Sequence, residues 1–157
     1  TRPISDFGIL IAKYLASVTL LLIAIIPTVT YYISMYFLGK PIGIIDGGAT
    51  LTSYIGLILL GSVFVAIGIF ASTITSSQII AFIVAMSLCW FLFDGLNILG
   101  DFGQFGDFDF FIKNLSLSYH YESIQKGVIN SNDLVFFVSS IFLFLFIALT
   151  VIKTLKR

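Results

Sequence analysis

The chain has 157 residues, of which 59% are hydrophobic and 10% are charged, and its mean hydropathy is +1.10. Ordinary soluble domains carry about 25% charged residues, so this composition excludes a water-soluble globule and indicates a multi-spanning membrane protein. Eight basic residues balance eight acidic ones, so the chain has no overall excess of positive charge with which to bind nucleic acid. A single cysteine excludes an internal disulfide and a cysteine-based zinc cluster.

Four runs of the sequence are long and apolar enough to cross a bilayer. A transmembrane helix needs about 20 apolar residues, and in lipid its backbone groups must be paired within the segment, so each run is predicted to be a helix. The predicted spans are 14–38, 52–71, 79–99 and 134–152, and only the third carries a charge, at Asp94. We therefore expect a single-domain, all-α membrane protein.

The connections between the spans differ in length. Residues 72–78 are short and polar, which predicts a tight turn between antiparallel helices. Residues 39–50 contain glycine, proline and aspartate, which break helices. The outer loop, residues 100–133, is much longer and precedes the last span.

The distribution of lysine and arginine predicts the orientation. An even number of crossings places both ends on one side, and basic residues favour the cytoplasm. Five basic residues flank the terminal ends and three lie on the opposite side, so both termini are predicted to be cytoplasmic. The terminal group is Arg2, Lys13, Lys153, Lys156 and Arg157, and the opposite group is Lys40, Lys113 and Lys126.

Pro27 lies in the middle of the first span. Because proline lacks a backbone N–H and crowds the carbonyl four residues earlier, here Ile23, the sequence predicts a kink. Thr28 and Thr30 are placed to satisfy freed backbone groups, and broken helices line some transport paths. A packing kink and a functional hinge are both open interpretations.

A stripe of small residues follows one face of the second span. Gly61, Val65, Gly68 and Ser72 recur at helical spacing, and Gly56 adds another small position. Small residues let helix backbones approach closely in lipid. The stripe predicts either packing inside this chain or pairing with a second copy of it.

Three polar features are candidate sites. Asp94 falls near the outer end of its span, where a solvated carboxylate and a functional intramembrane acid are the two interpretations. The loop 101–109 contains several aspartates but lacks the donor register of an EF-hand, so calcium binding is not favoured. His120 and Glu122 match half of a zinc-deaminase signature whose Pro-Cys-x-x-Cys half is missing.

The sequence contains no recognisable catalytic or nucleotide-binding pattern. Gly43, Gly47 and Gly48 match neither a Walker phosphate loop nor a dinucleotide fingerprint. With one histidine and one cysteine, no nucleophile, base and orienting group can be assembled. We therefore expect a chain that is not an enzyme and holds no cofactor or metal of its own.

Two stretches resemble permease subunits of type-two ATP-binding-cassette exporters. The opening TRPISD and the residues up to Ala16 are similar to the cytoplasmic segment before a membrane helix of these proteins. The stretch SYHYESIQKGVI from Ser118, followed by Asp133, is similar to the segment that leads into their last helix. Over its whole length the chain most resembles gliding-motility permease subunits of the GldF type.

The resemblance implies a six-helix permease of which this chain carries the last four helices, the first two being absent. It implies that residues 1–12 contain a short cytosolic coupling helix that binds a separate ATPase subunit. The implied coupling residues are Arg2, Pro3, Ile4, Ser5, Asp6 and Phe7. It also implies that the outer loop caps the path, with motif residues Tyr119, His120, Glu122, Ile124, Gly127, Val128 and Asp133.

The expected function is that of a membrane subunit of an ATP-driven exporter in the bacterial cytoplasmic membrane, linked to gliding motility or secretion. Its implied partners are an ATPase subunit that uses the ATP, a second permease or accessory membrane subunit, and the lipid bilayer. The alternative is a scaffold or assembly subunit that transports nothing. The transported substrate cannot be read from the spans.

Overall fold

The computed structural model describes residues 5–41, 45–101 and 106–155, and this part of the chain is built from helices and short turns. The helices are α1 (Asp6–Leu38), α2 (Gly47–Ile74), α3 (Gln78–Trp90), α4 (Leu96–Asp101), α5 (Asp107–Asn114), α6 (Leu117–Gln125) and α7 (Ser131–Leu155). A π-helical turn, Phe91–Gly95, joins α3 to α4.

Four helical segments are long and apolar enough to cross a membrane, which confirms the predicted number of spans. They are α1, α2, the continuous stretch Gln78–Asp101 and α7, with lengths of 33, 28, 24 and 25 residues. At 1.5 Å per residue each exceeds the roughly 30 Å of a hydrocarbon core. The all-α prediction is confirmed as well.

The helix α2 is the centre of the bundle and packs against α1, α3 and α7, while α6 lies against its first half. In its most apolar stretch 39% of the residues are buried, against 6% in α1. The larger core cluster centres on the fully buried Val63, Ile67 and Phe137. The outer faces of α1 and α3 are apolar and exposed, as expected of surfaces that face lipid.

Both ends of the described chain lie on the same side of the bundle, which we call the terminal side. There Leu10 of α1 packs with Ala148 of α7 and with Ile69 of α2. The opposite, loop side carries α5 and α6, and Gly127, which follows α6, lies next to Ala49 near the start of α2.

The start of α1 differs from the two separate elements predicted there. Ser5 caps the helix, and its hydroxyl accepts a hydrogen bond from the backbone N–H of Gly8 at 3.2 Å. From Asp6 the helix continues without a break through Lys13 into the span. Residues 6–12 of the predicted coupling segment are thus the first turns of the membrane helix, and residues 1–4 lie outside the described part.

The turn between α2 and α3 is shorter than the predicted 72–78. The helix α2 continues to Ile74 and α3 begins at Gln78, so three residues make the reversal. The two helices pack against each other, as predicted for an antiparallel hairpin. At the other end of α2, the Asp46 carboxylate caps the helix by accepting from the N–H of Gly48 at 2.8 Å.

Candidate functional site

On the loop side, α6 is pressed closely against α2. A Cβ placed on Gly56 would lie 2.7 Å from Cγ2 of Ile124, a side chain that is fully buried. The Ser53 hydroxyl lies 3.2 Å from the backbone oxygen of Gln125 at the end of α6. The absence of a side chain at Gly56 therefore lets α6 approach α2 closely enough to cap this side of the bundle.

The centre of this cap is a pair formed by His120 on α6 and Asp133 in the first turn of α7. His120 Nδ1 lies 2.6 Å from Asp133 Oδ1, and His120 Nε2 lies 2.9 Å from the backbone oxygen of Asn114 at the end of α5. The imidazole also stacks on Phe136 with ring centroids 4.1 Å apart. The His120 side chain thus joins α5, α6 and α7. We use the name clasp for His120 together with Asp133, Phe136 and the Asn114 backbone oxygen.

The partner of His120 Nε2 fixes the direction of one of its hydrogen bonds. A backbone oxygen can only accept, so Nε2 carries a hydrogen and donates it to Asn114. The other ring nitrogen, Nδ1, faces the carboxylate of Asp133, a residue that is only 5% exposed.

Asp133 Oδ2 is buried and has no hydrogen-bond partner in the described part of the chain. Burying a carboxylate oxygen in this way costs free energy unless another interaction offsets it. The bond to His120 provides such an interaction at the start of α7, beside the packing of Phe137 in the core.

A second polar contact joins the cap to the π-helical turn. The Ser116 hydroxyl, fully buried between α5 and α6, donates to the backbone oxygen of Phe93 at 2.7 Å. Lys113 forms an ion pair with Asp101 at 2.6 Å, which links α5 to α4. Because a π turn disturbs the regular i to i−4 pairing, an external donor such as Ser116 helps to hold it.

The remaining residues of the predicted outer motif have different environments. Tyr119 is half exposed and meets the His120 ring edge to face. Glu122 pairs with Lys126 at 2.6 Å on the surface. Gly127 adopts a φ of +89°, which favours glycine, beside Ala49. Val128 is 54% exposed. The cap thus brings together His120, Asp133 and Ile124, but not the whole motif.

The terminal side, in contrast, is open. A groove of about 780 Å³ lies between α1 and α2 and is bordered by α7. Its lining residues are Asp6, Ile9, Leu10, Lys13, Ala16, Ser17, Val65, Gly68, Ile69, Ser72, Thr73 and Ile152. A second groove of about 510 Å³, between α2 and α3, shares Gly68 and Ser72 with the first. We call the first of these the terminal groove.

The small-residue stripe of α2 divides between these two environments. A Cβ on Gly61 would lie 2.6 Å from Cδ2 of Leu21, so this position packs against α1 of the same chain. A Cβ on Gly68 would meet nothing within 4 Å. Gly61 therefore serves packing inside this chain, whereas Gly68 opens a surface.

Pro27 lies within α1, which continues past it to Leu38. The next residue, Thr28, donates its hydroxyl to the backbone oxygen of Ile25 at 2.6 Å and lies 3.1 Å from the Tyr54 hydroxyl of α2. The freed carbonyl expected at Ile23 is not the acceptor of this bond. Thr28 and Tyr54 instead tie the proline region of α1 to the centre of the bundle.

The predicted coupling residues lie at the terminal side as far as they are described. Ser5 is the cap of α1, Asp6 lines the terminal groove, and Phe7 is 58% exposed. Arg2, Pro3 and Ile4 lie outside the described residues.

Asp94 lies half-buried in the π-helical turn, and the cysteine, Cys89, packs against the larger core cluster. Within the described ranges, no group of three or more histidine, cysteine, aspartate or glutamate residues is arranged to hold a metal ion. The loop 101–109 is described only at Asp101 and from residue 106 onward, so its middle lies outside the described residues.

Sequence reasoning placed His120 and Asp133 in one outer-loop motif but missed their pairing, and it missed the contacts of Ser116 with Phe93 and of Phe136 with His120. The available signal for the pair was a histidine and an aspartate on either side of a turn at Gly127. Comparisons of the chain with protein-family models, curated proteins and solved structures gave no match. The candidate sites therefore rest on the structure of this chain alone. The helices α5 and α6 cover the loop side, and the terminal groove lies open at the terminal side.

Proposed function

We propose that the chain is a membrane-spanning permease subunit of an ATP-driven exporter of the type-two ATP-binding-cassette kind. In this proposal the terminal side faces the cytoplasm of a bacterium, and the start of α1 couples the bundle to a separate ATPase subunit. A second permease copy or an accessory membrane subunit completes the path. A link to gliding motility or secretion belongs to the same proposal and rests on the sequence resemblance.

The observation that carries the proposal is the difference between the two sides of the bundle. The loop side is closed by α5 and α6, which the clasp and Ser116 hold in place. The terminal side has an open groove of about 780 Å³ beside the start of α1. A membrane subunit that receives material on one side and restricts its exit on the other requires such an asymmetry.

The continuity of α1 supports a coupling role. Because Asp6 and Phe7 belong to the same continuous helix as the span, and Ser5 caps that helix, a displacement at this end passes along α1 into the membrane. A partner can shift the bundle only if it binds one arrangement more tightly than another. Contacts with the first turn of α1 offer an ATPase such a differential interaction.

The alternative is a scaffold that holds other subunits together and does not respond to ATP. The exposed apolar faces of α1 and α3 are compatible with it, since lipid and protein partners both cover such faces. The two functions differ in whether the start of α1 contacts an ATPase, and this is the contact to test.

We expect a photoreactive amino acid at position 7, placed in the protein in its native membrane, to cross-link to an ATPase that carries a Walker phosphate loop. Phe7 is exposed at the terminal side, whereas the control position Phe110 is similarly exposed on the loop side, at 67% against 58%. Mass spectrometry of the cross-linked products identifies the captured proteins. Nucleotide should change the yield at position 7 and leave position 110 unaffected.

The same strain tests the orientation. With Cys89 replaced by alanine, a thiol introduced at Ser5 should resist a membrane-impermeant maleimide in intact cells, while one at Asn130 should react. The coupling proposal fails if position 7 captures no ATPase, or if the Ser5 thiol is labelled from outside. Capture of membrane proteins alone at position 7, insensitive to nucleotide, favours the scaffold.

A further inference from the structure

We propose that the terminal groove binds a membrane phospholipid, whose phosphate lies at Lys13 while one acyl chain follows the apolar floor along α2. The phosphate and the chain are common to all phospholipids, so no particular headgroup is required. The inference goes beyond the proposed function, since it needs neither an ATPase nor a transported substrate.

The groove changes from polar to apolar with depth. On α2 its mouth carries the hydroxyl residues Ser72 and Thr73, close to the end of the helix on the terminal side, and Val65 lies about 10 Å deeper. On α1 the charge-free run 14–38 begins directly after Lys13, so this lysine marks the boundary of the hydrocarbon core. The lining of α1 continues past this boundary to Ser17. A matching occupant is polar at the mouth and apolar below it.

The floor of the groove is apolar and uncovered. Its apolar lining comes from three helices and consists of Ile9, Leu10, Ala16, Val65, Ile69 and Ile152. At Gly68 the floor has no side chain, and a Cβ there would meet nothing within 4 Å. The volume of about 780 Å³ lies within the range of sites that hold small organic ligands. An acyl chain therefore has both the space and the apolar contacts that it needs along α2.

Lys13 supplies a positive charge that the bundle does not pair. It forms no ion pair within residues 5–41, 45–101 and 106–155. Asp6 also lines the groove, but it already has an interaction partner and is not a ligand in this complex. A lysine at this depth extends its side chain toward water, which brings the ammonium group to the mouth of the groove. An anionic group at the mouth complements this charge.

A phospholipid is the component of a bilayer that meets both requirements. Its phosphate is negative and lies where the hydrocarbon core begins, and its acyl chains continue from there into the core. The Lys13 ammonium donates charge-assisted hydrogen bonds to the phosphate oxygens, and one chain passes Gly68 on the floor. A free phosphate ion lacks the apolar part and a diacylglycerol lacks the charge, so each loses one of the two interactions.

Titration of the purified protein with single lipids, followed by native mass spectrometry, measures the contribution of the phosphate. Phosphatidylcholine should bind at least tenfold more tightly than diacylglycerol of the same chains, the ratio expected of one charge-assisted hydrogen bond. Lys13→Met keeps an apolar stem and removes the charge, so it should weaken phosphatidylcholine binding about tenfold and leave diacylglycerol binding unchanged. Lys13→Arg should retain both. Lys40→Met, just beyond the loop-side end of α1, is the control and should change neither.

A second pair of variants locates the acyl chain. Gly68→Leu adds a side chain to the floor at a position where its Cβ meets no atom within 4 Å, and it should lower the affinity for both lipids at least tenfold. Ala24→Leu adds similar bulk to the exposed face of α1 and should lower neither. Helical circular dichroism of every variant shows that it is folded.

The outcomes separate the lipid from other occupants. The phosphate assignment is wrong if the two lipids bind the unmodified protein equally, or if Lys13→Met weakens both alike, as a merely structural role of Lys13 predicts. The groove is not the site if neither lipid binds saturably, or if Gly68→Leu binds phosphatidylcholine normally. Saturable binding of inorganic phosphate to lipid-free protein, lost in Lys13→Met, would assign the groove to a free anion and not to a lipid.

Discussion

Replacing His120 by alanine is expected to lower the free energy of unfolding by about 3 kcal/mol, the largest loss we expect from a polar substitution in this protein. The change removes the hydrogen bonds to Asp133 Oδ1, 2.6 Å away, and to the Asn114 backbone oxygen, 2.9 Å away. Asp133 then stays buried with neither oxygen paired, and breaking one partner of a buried charged pair costs about 3–5 kcal/mol.

The measurement is unfolding of the purified protein by SDS in mixed micelles. The chain contains one tryptophan, Trp90, which immediately precedes the π-helical turn, so its fluorescence reports on the loop side. Glu122→Ala is the control, since Glu122 forms only a surface pair with Lys126 and its loss costs less than about 0.5 kcal/mol. Equal effects of the two variants would contradict the role given to the clasp.

A double-mutant cycle separates the pair from its surroundings. Asp133→Leu should also destabilise, because it leaves His120 Nδ1 without a partner. Once His120 is gone, however, replacing Asp133 removes an unpaired buried carboxylate. The double variant His120→Ala, Asp133→Leu should therefore be more stable than the sum of the two single changes predicts, with a coupling of about 2 kcal/mol. Additive effects would show that the two residues act independently.

The spans could be predicted because their signal is local. Lipid forces each apolar run to satisfy its own backbone, so composition over about 20 residues is sufficient to identify a helix. The ends of the helices are harder to predict, because a charged residue ends an apolar run without ending the hydrogen-bonded helix. Lys13 interrupts the apolar run of α1 but not its hydrogen bonds, so the helix continues to the cap at Ser5.

The clasp could not be predicted, because it depends on contacts between distant parts of the chain. His120 and Asp133 are brought together by the turn at Gly127, whose φ of +89° sets the direction of the chain between α6 and α7. The π-helical turn likewise has a contact with a distant residue, since Ser116, 23 residues beyond Phe93, donates to the Phe93 backbone oxygen. No residue type in FLFDG itself encodes an irregular helix.

The small-residue stripe of α2 shows, at single positions, that sequence spacing does not reveal contacts with other helices. Sequence spacing places Gly61 and Gly68 on one face of α2 and leaves packing inside the chain and pairing with a second copy as alternatives for the whole stripe. The structure gives them different neighbours, because the Leu21 side chain of α1 covers Gly61 while the terminal groove lies open at Gly68. Whether a small residue of α2 packs against a neighbouring helix depends on where that helix diverges from α2. The sequence of α2 alone does not indicate this position.

Replacing Gly56 by leucine is expected to cost about 3 kcal/mol and to detach α6 from α2. The first added atom would lie 2.7 Å from Cγ2 of Ile124 and 3.3 Å from Cε2 of Tyr121. Ile124 is fully buried and branched at Cβ, so it has no free direction in which to move. Overpacking of a closed contact costs about 1–3 kcal/mol. The contact between Ser53 and the Gln125 backbone oxygen is lost in addition.

Gly68→Leu in the same helix is the matched control, because the first added atom, Cβ, meets no atom within 4 Å there. Both variants gain the same helix propensity of leucine over glycine, so the difference between their SDS midpoints isolates the packing against α6. Gly56→Leu should also expose the backbone amides of α6 to hydrogen exchange, since a helix of nine residues is not stable alone. If exchange in α6 stays slow and the two midpoints coincide, Gly56 does not hold the cap, and the loop side is closed by the clasp and Ser116 alone.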